Sequence, residues 1–156
     1  MSQVSVGNPI PAFTVQSTAG EFTEQQLSGQ WTVLYFYPKD STPGCTTQAQ
    51  NFRDHIDAFK ALGCQIIGVS RDSLKSHDNF IGKQSIPYTL ISDTDETLCS
   101  IFDVMKMKNM YGKQVRGVER STFLIDANGV LVKEWRGLKV PGHVDQVLQA
   151  VSEVAQ

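Results

Sequence analysis

Between residues 31 and 37 the chain reads WTVLYFY, a run dominated by aromatic and β-branched side chains. A continuous apolar stretch of this length predicts a strand buried on both faces, and Pro38 ends it. The period then changes. Ala49, Phe52, Ile56 and Phe59 recur at steps of three and four, which predicts one amphipathic helix over 45–61. CQIIGVS at 64–70 is a second buried strand. A helix is expected over 73–84, with Leu74, Phe80 and Ile81 as its apolar positions, then a short strand over 88–91. A short helix over 94–102 takes Ser92 or Asp93 as N-cap. Strands over 121–125 and 130–135 are joined by DANG, a hairpin signal in which Asn128 and Gly129 are both expected at positive φ. The last helix, 143–154, carries Val144, Val147, Leu148 and Val151 on one side.

Strand–helix–strand–helix–strand followed by a hairpin and a closing helix is an α/β plan. Its central sheet should be mixed, parallel through the crossovers and antiparallel at the hairpin. With 156 residues, no repeat and no linker, the chain fits a single domain over 1–156. Such a domain buries roughly 68–70% of its unfolded surface and needs no disulfide or metal to hold a core.

Charge and cysteine usage narrow the function. A net charge of −2 gives no general attraction to nucleic acid or to an anionic membrane. Lys106, Lys108, Lys113, Arg116 and Arg120 against Glu119 form a local excess of positive charge, read as a solvated loop around Gly112. No stretch reaches the ~18 apolar residues of a membrane helix. The first residues lack a basic region followed by an apolar run, so no export signal is expected. Cys45, Cys64 and Cys99 are odd in number and widely spaced, neither a disulfide framework nor a metal knuckle. Cytoplasm is the expected compartment.

Cys45 carries the chemistry. Thr42 is a good N-cap and Pro43 suits the first helical position, which sets Cys45 in the first turn of a helix. Unpaired amides and the helix dipole favour negative charge there, and helix N-termini lower a cysteine pKa below about 8.5. The expected species is a thiolate. Dithiol exchange of the Cys-x-x-Cys kind is excluded, because residue 48 is Gln. A cysteine hydrolase or acyl transferase needs a histidine base, yet His55, His77 and His143 read as solvated surface residues. Metal binding lacks a second ligand near Cys45, and no cofactor is implied. A small electrophile attacked directly, such as a peroxide, fits best.

PKDSTPGC at 38–45 resembles the Pro-x-x-x-Thr-x-x-Cys motif of the peroxiredoxins. YFYPKDSTPGCTTQAQNFRD is similar to their bacterioferritin comigratory protein, or peroxiredoxin Q, branch, as are GVSRDS at 68–73, HDNF at 77–80 and RSTFLID at 120–126. The resemblance implies a thioredoxin-like fold and thiol-dependent reduction of hydrogen peroxide and organic hydroperoxides. It makes Cys45 the peroxidatic nucleophile. It gives Thr42 a hydroxyl that contacts the thiolate and the peroxide, makes Pro38 the residue that shields the pocket, and brings Arg120 beside the sulfur. Arg116 lies outside every motif.

Two departures bear on mechanism. Many members of this branch carry a resolving cysteine five residues after the first, or in the next helix; here those positions are Gln50 and Ile81. Cys64 and Cys99 read as packing residues, with Cys99 the less unlikely atypical resolver. A one-cysteine monomer reduced by an external thiol is therefore expected, the reductant being thioredoxin, glutaredoxin or a small thiol. The family's usual Glu after Cys-Thr-x is Gln48, expected to matter little to the thiol. A redox-sensing or chaperone-like binding protein of the same fold, without peroxidase turnover, is the alternative from another class.

Overall fold

A computed structural model describes residues 3–155. In chain order its elements are β1 (Thr14–Ser17), β2 (Gly20–Thr23), β3 (Trp31–Phe36), α1 (Pro43–Asp54), α2 (Ile56–Ala61), β4 (Cys64–Ser70) and α3 (Leu74–Gln84). There follow β5 (Thr89–Ser92), α4 (Thr97–Ile101), β6 (Met105–Met110), β7 (Lys113–Val118), β8 (Ser121–Ile125), β9 (Leu131–Arg136) and α5 (His143–Val154). Seven strands form one sheet in the order β2-β1-β5-β4-β3-β8-β9, and β6 and β7 pair apart from it. The β3–β4 and β4–β5 pairs are parallel and the others antiparallel, so the sheet is mixed, as the sequence predicts.

Alternation along the strands divides the core in two. One face presents Leu34, Phe36, Ile67, Val69 and Phe123 to a cluster that includes Cys99 and Phe102. The other presents Val33, Tyr35, Tyr37, Ile66 and Leu124 to Cys45, Phe52, Phe80 and Val147 of the helices. Both faces are covered, which is why the central strands are apolar without a break.

Several local expectations are corrected. The helix over 45–61 is broken at His55, whose Nδ1–H donates to the Asn51 carbonyl at 2.7 Å. The His55 amide bonds Phe52 instead, and a new helix starts at Ile56. In the DANG turn only Gly129 has positive φ, at 79°. The Asp126 carboxylate there accepts from the amides of Asn128 and Val130, at 2.9 and 3.0 Å, holding the turn with one left-handed residue. The helix expected over 94–102 is only α4, led by Glu96 at φ 62°. Asp93 still caps it, accepting from the Leu98 and Cys99 amides at 3.0 and 2.8 Å. The stretch read as a basic loop is the β6–β7 hairpin, and β1–β2 is a second hairpin with no sequence counterpart. His77 and His143, read as surface residues, are 0% and 1% exposed. Each ring is buried because it has a partner, Asp40 for His77 and Thr122 for His143.

Candidate active site

α1 begins where the sequence places it. Thr42 has extended backbone (φ −91°, ψ 154°), Pro43 opens the helix, and the first helical bond runs from the Thr46 amide to the Thr42 carbonyl at 2.8 Å. That geometry leaves the Gly44 and Cys45 amides without intrahelical acceptors beside the Cys45 sulfur. Cys45 is 1% exposed, seated in the apolar cluster with Tyr35, Tyr37, Ala49 and Phe52.

Arg120 arrives from the end of the β6–β7 hairpin, just before β8. Its Nη2 donates to Cys45 Sγ at 3.2 Å, and its Nη1 donates to Gln48 Oε1 at 2.9 Å. One rigid guanidinium plane therefore spans a full turn of α1. Gly44 lets it do so, since a Cβ there would lie 2.9 Å from Nη2. Arg116 is elsewhere, paired through both nitrogens with Glu96 at 2.7 and 2.6 Å. Of the two arginines, only Arg120 meets the sulfur.

Four residues to which sequence reasoning gives no role in the site belong to this centre. Gln48 is fully buried. Because a guanidinium only donates, the amide must turn its oxygen to Arg120, and Nε2 is left without an acceptor. Lys108, from β6, donates to the Val118 carbonyl beside Arg120. Burial and the Arg120 charge hold its ammonium below its ordinary pKa. Tyr35 donates to Tyr88 at 2.7 Å and Tyr88 to the Ala49 carbonyl at 3.2 Å, a direction fixed because a carbonyl can only accept. Burial, then Tyr88 and Tyr37, push the Tyr35 phenol well up. These tyrosines tie the middle of α1 to the sheet.

Thr42 differs from expectation. Its hydroxyl donates to the Lys39 carbonyl at 2.9 Å, so its single proton is not directed to the sulfur. Pro38 stands half-buried at the end of β3, where the chain turns towards α1. Gln50 and Ile81, the two positions of a usual resolving thiol, hold no sulfur; Gln50 instead donates to Gln84 Oε1 at 2.8 Å, linking α1 to α3.

The other two thiols lie away from the Cys45 sulfur. Cys99 packs on the opposite face of the sheet from Cys45. Burial, then the Asp93 carboxylate, push its thiol strongly up. Cys64 opens β4 opposite Trp31, the far end of β3 from α1, and burial pushes its thiol up to about 12. The six residues of β3 put roughly 17 Å between those ends. The sheet itself stands between Cys99 and Cys45.

The AhpC/TSA family model matches residues 6–134. The chain is 57% identical over 129 residues to peroxiredoxin Bcp of Xanthomonas campestris, covering 83% of this chain and 81% of that one. It is 44% identical to peroxiredoxin Bcp of Bacillus subtilis, over 98% of both. Among solved structures, the Xanthomonas campestris bacterioferritin comigratory protein, studied for its alkyl peroxide reduction, superposes with TM-score 0.90 at 48% identity, covering 97% of this chain and 100% of that one. A cysteine-to-serine mutant of Xylella fastidiosa peroxiredoxin Q gives TM-score 0.92 at 40% identity, over the whole of both chains. The buried cysteine at a helix start under an arginine thus stands in a thioredoxin-fold scaffold shared along the whole chain, and the protein belongs to the AhpC/TSA family, as a thiol-dependent peroxidase of the Bcp/peroxiredoxin Q branch.

Proposed function

We propose that Cys45 is the peroxidatic nucleophile and that it works without a resolving cysteine of its own. The observation that carries this is the Arg120 Nη2 to Cys45 Sγ contact of 3.2 Å at the first turn of α1. In the reaction the thiolate attacks the terminal oxygen of a hydroperoxide. An S–O bond forms, the O–O bond breaks, and the departing alkoxide or hydroxide takes a proton from solvent. Two electrons leave the sulfur, which becomes a sulfenic acid. Arg120 and the amides of Gly44 and Cys45 are donors set in advance for the charge that develops on the leaving oxygen. Thr42 joins them after rotation of its hydroxyl away from Lys39, and Pro38 shields the pocket.

Reduction then comes from outside. One external thiol condenses with the sulfenic acid and expels water, and a second releases Cys45. Thioredoxin, glutaredoxin or a small thiol fits this role. The positions of Cys64 and Cys99 support the reading. The chain acts as a single-domain monomer over 1–156, and its three free thiols suit the cytoplasm. Among the described residues no helix is long and apolar enough to cross a membrane.

Intact mass after one equivalent of peroxide, with dimedone as trap, tests the proposal. A dimedone adduct on Cys45 is expected, and excess peroxide should carry the residue to the sulfinic form. Loss of two hydrogens with a Cys45–Cys64 or Cys45–Cys99 linked peptide refutes it and names the resolver.

A further inference from the structure

Behind the turn that leads into α1 lies a buried pair that the reaction itself does not use. Asp40 is 4% exposed and His77, from α3, is 0% exposed. His77 Nδ1 lies 2.7 Å from Asp40 Oδ2, and Nε2 lies 2.8 Å from the carbonyl oxygen of Ile91 in β5. A carbonyl only accepts, so Nε2 bears a hydrogen. The Asp40 carboxyl receives the Tyr37 hydroxyl at 2.6 Å and the Ser76 hydroxyl at 2.8 Å. Burial alone raises its pKa, but the hydrogen bonds from His77 and Tyr37 outweigh that and hold it below the ordinary value. One further hydrogen lies between Nδ1 and Asp40 Oδ2. The pair is hydrogen-bonded and buried away from water.

What it holds is the segment from Pro38 to Thr42. The Asp40 amide donates to Asp72 Oδ2 at 2.9 Å, in the loop after β4, and that same oxygen accepts from Ser70 at 2.6 Å. The titratable groups facing Asp40 are thus Tyr37 just after β3, Asp72 from the β4–α3 loop and His77 from α3. Immediately after Asp40, Ser41 sits at φ 62°, the left-handed region that a serine rarely adopts. Such a strained residue persists where its surroundings over-determine it. Four side chains from three parts of the fold converge on Asp40, one residue before the strain and five before Cys45.

We propose that Asp40 and His77 are positioning residues, a buried hydrogen-bonded pair that fixes the start of α1 against α3 and β5 and so sets the Cys45 sulfur under Arg120. The inference rests on the reading of Cys45 as the peroxidatic centre. It assigns a task to Asp in PKDST and to His in HDNF, neither of which touches the sulfur.

The test has two parts. Long-range proton–nitrogen NMR of the wild-type protein is expected to show His77 Nε2 protonated, the tautomer that holds the ring between the Ile91 carbonyl and Asp40; a bare Nε2 overturns that placement. Rate constants of Cys45 with hydrogen peroxide and with iodoacetamide are then compared in folded wild-type, Asp40→Asn and Ser76→Ala protein. Alkylation needs only a thiolate, whereas peroxide reduction needs the sulfur in line with the O–O bond and its donors. The peroxide-to-alkylation ratio is expected to fall about 10-fold or more in Asp40→Asn and about 3-fold in Ser76→Ala. Loss of stability alone leaves that ratio unchanged. Ser76→Ala removes one donor of three and reads the same effect where Asp40→Asn does not fold. An unchanged ratio in every folded variant overturns the positioning role while wild-type turnover stands. Absence of wild-type turnover at Cys45 instead strikes the underlying assignment.

Discussion

Replacing Gly44 by alanine tests whether the glycine is there to admit the Arg120 guanidinium. The new methyl carbon lies 2.9 Å from Arg120 Nη2, and ordinary contact begins near 3.4 Å, so the guanidinium must retreat by about half an ångström. It cannot do so by moving one nitrogen, since Nη1 and Nη2 belong to one plane. Retreat therefore loosens both the 3.2 Å contact with Cys45 and the 2.9 Å bond to Gln48. A hydrogen bond to a charged group is worth about 1.5–3 kcal/mol. Full loss thus slows reaction with peroxide by roughly 10- to 150-fold, the ceiling for this variant. Stability falls by less than those bonds are worth, because alanine in a helix is favoured over glycine by up to about 1 kcal/mol. Stopped-flow measurement of the second-order rate constant with hydrogen peroxide, beside a urea unfolding curve, reads both. A rate equal to wild type would show that Arg120 accommodates the methyl without leaving the sulfur, and would refute the idea that Gly44 is there to admit it.

Three further outcomes follow from neighbouring contacts. Arg120→Ala should slow peroxide consumption at least as much as Gly44→Ala, whereas Arg116→Ala, which loses only its exposed Glu96 pair, should stay within about 2-fold by the same assay. Gln48→Glu should slow iodoacetamide alkylation of Cys45 at neutral pH by about 10-fold, because a carboxylate shares the Arg120 charge and opposes the thiolate; an unchanged rate would mean that Arg120 charge does not govern the thiol. His143 is buried and burial holds its imidazole down at about 4, so below its unfolded value near 6.5 the unfolded chain takes up a proton that the folded chain refuses. Stability should accordingly fall from about pH 6.5 to about pH 4, by at most ~3 kcal/mol from this group, and His143→Gln should flatten that part of a urea-midpoint profile.

What the sequence reveals depends on whether the cause is local. β3, β4 and β8 are covered on both faces, so each leaves an apolar run that no loop would carry. β6, MKMKNM, is largely open to solvent and alternates lysine with methionine, which carries no burial signal. The break at His55 is hidden for a related reason: Ile56 and Phe59 stay in phase with Phe52 across it, and only a ring nitrogen on the Asn51 carbonyl marks the interruption. Cys45 is legible because its helix start is written in adjacent residues, Thr42 and Pro43. Arg120 is 75 residues away, and composition alone gives no reason to prefer it to Arg116; only the RSTFLID resemblance did so.

The buried polar residues show the limit most clearly. A histidine in HDNF reads as solvated because its acceptor, Asp40, is 37 residues upstream and the Ile91 carbonyl 14 residues on. Burial of a polar group is a property of the pair, and neither half announces it. Gln48 carries the same lesson within the site. Read along the chain, glutamine for glutamate is the loss of one charge. Under Arg120 it also leaves the guanidinium without a buried counter-charge and leaves a buried amide nitrogen without an acceptor, one helical turn from the reacting sulfur. The effect has no trace in helix periodicity, since both residues suit the same position of α1 equally well.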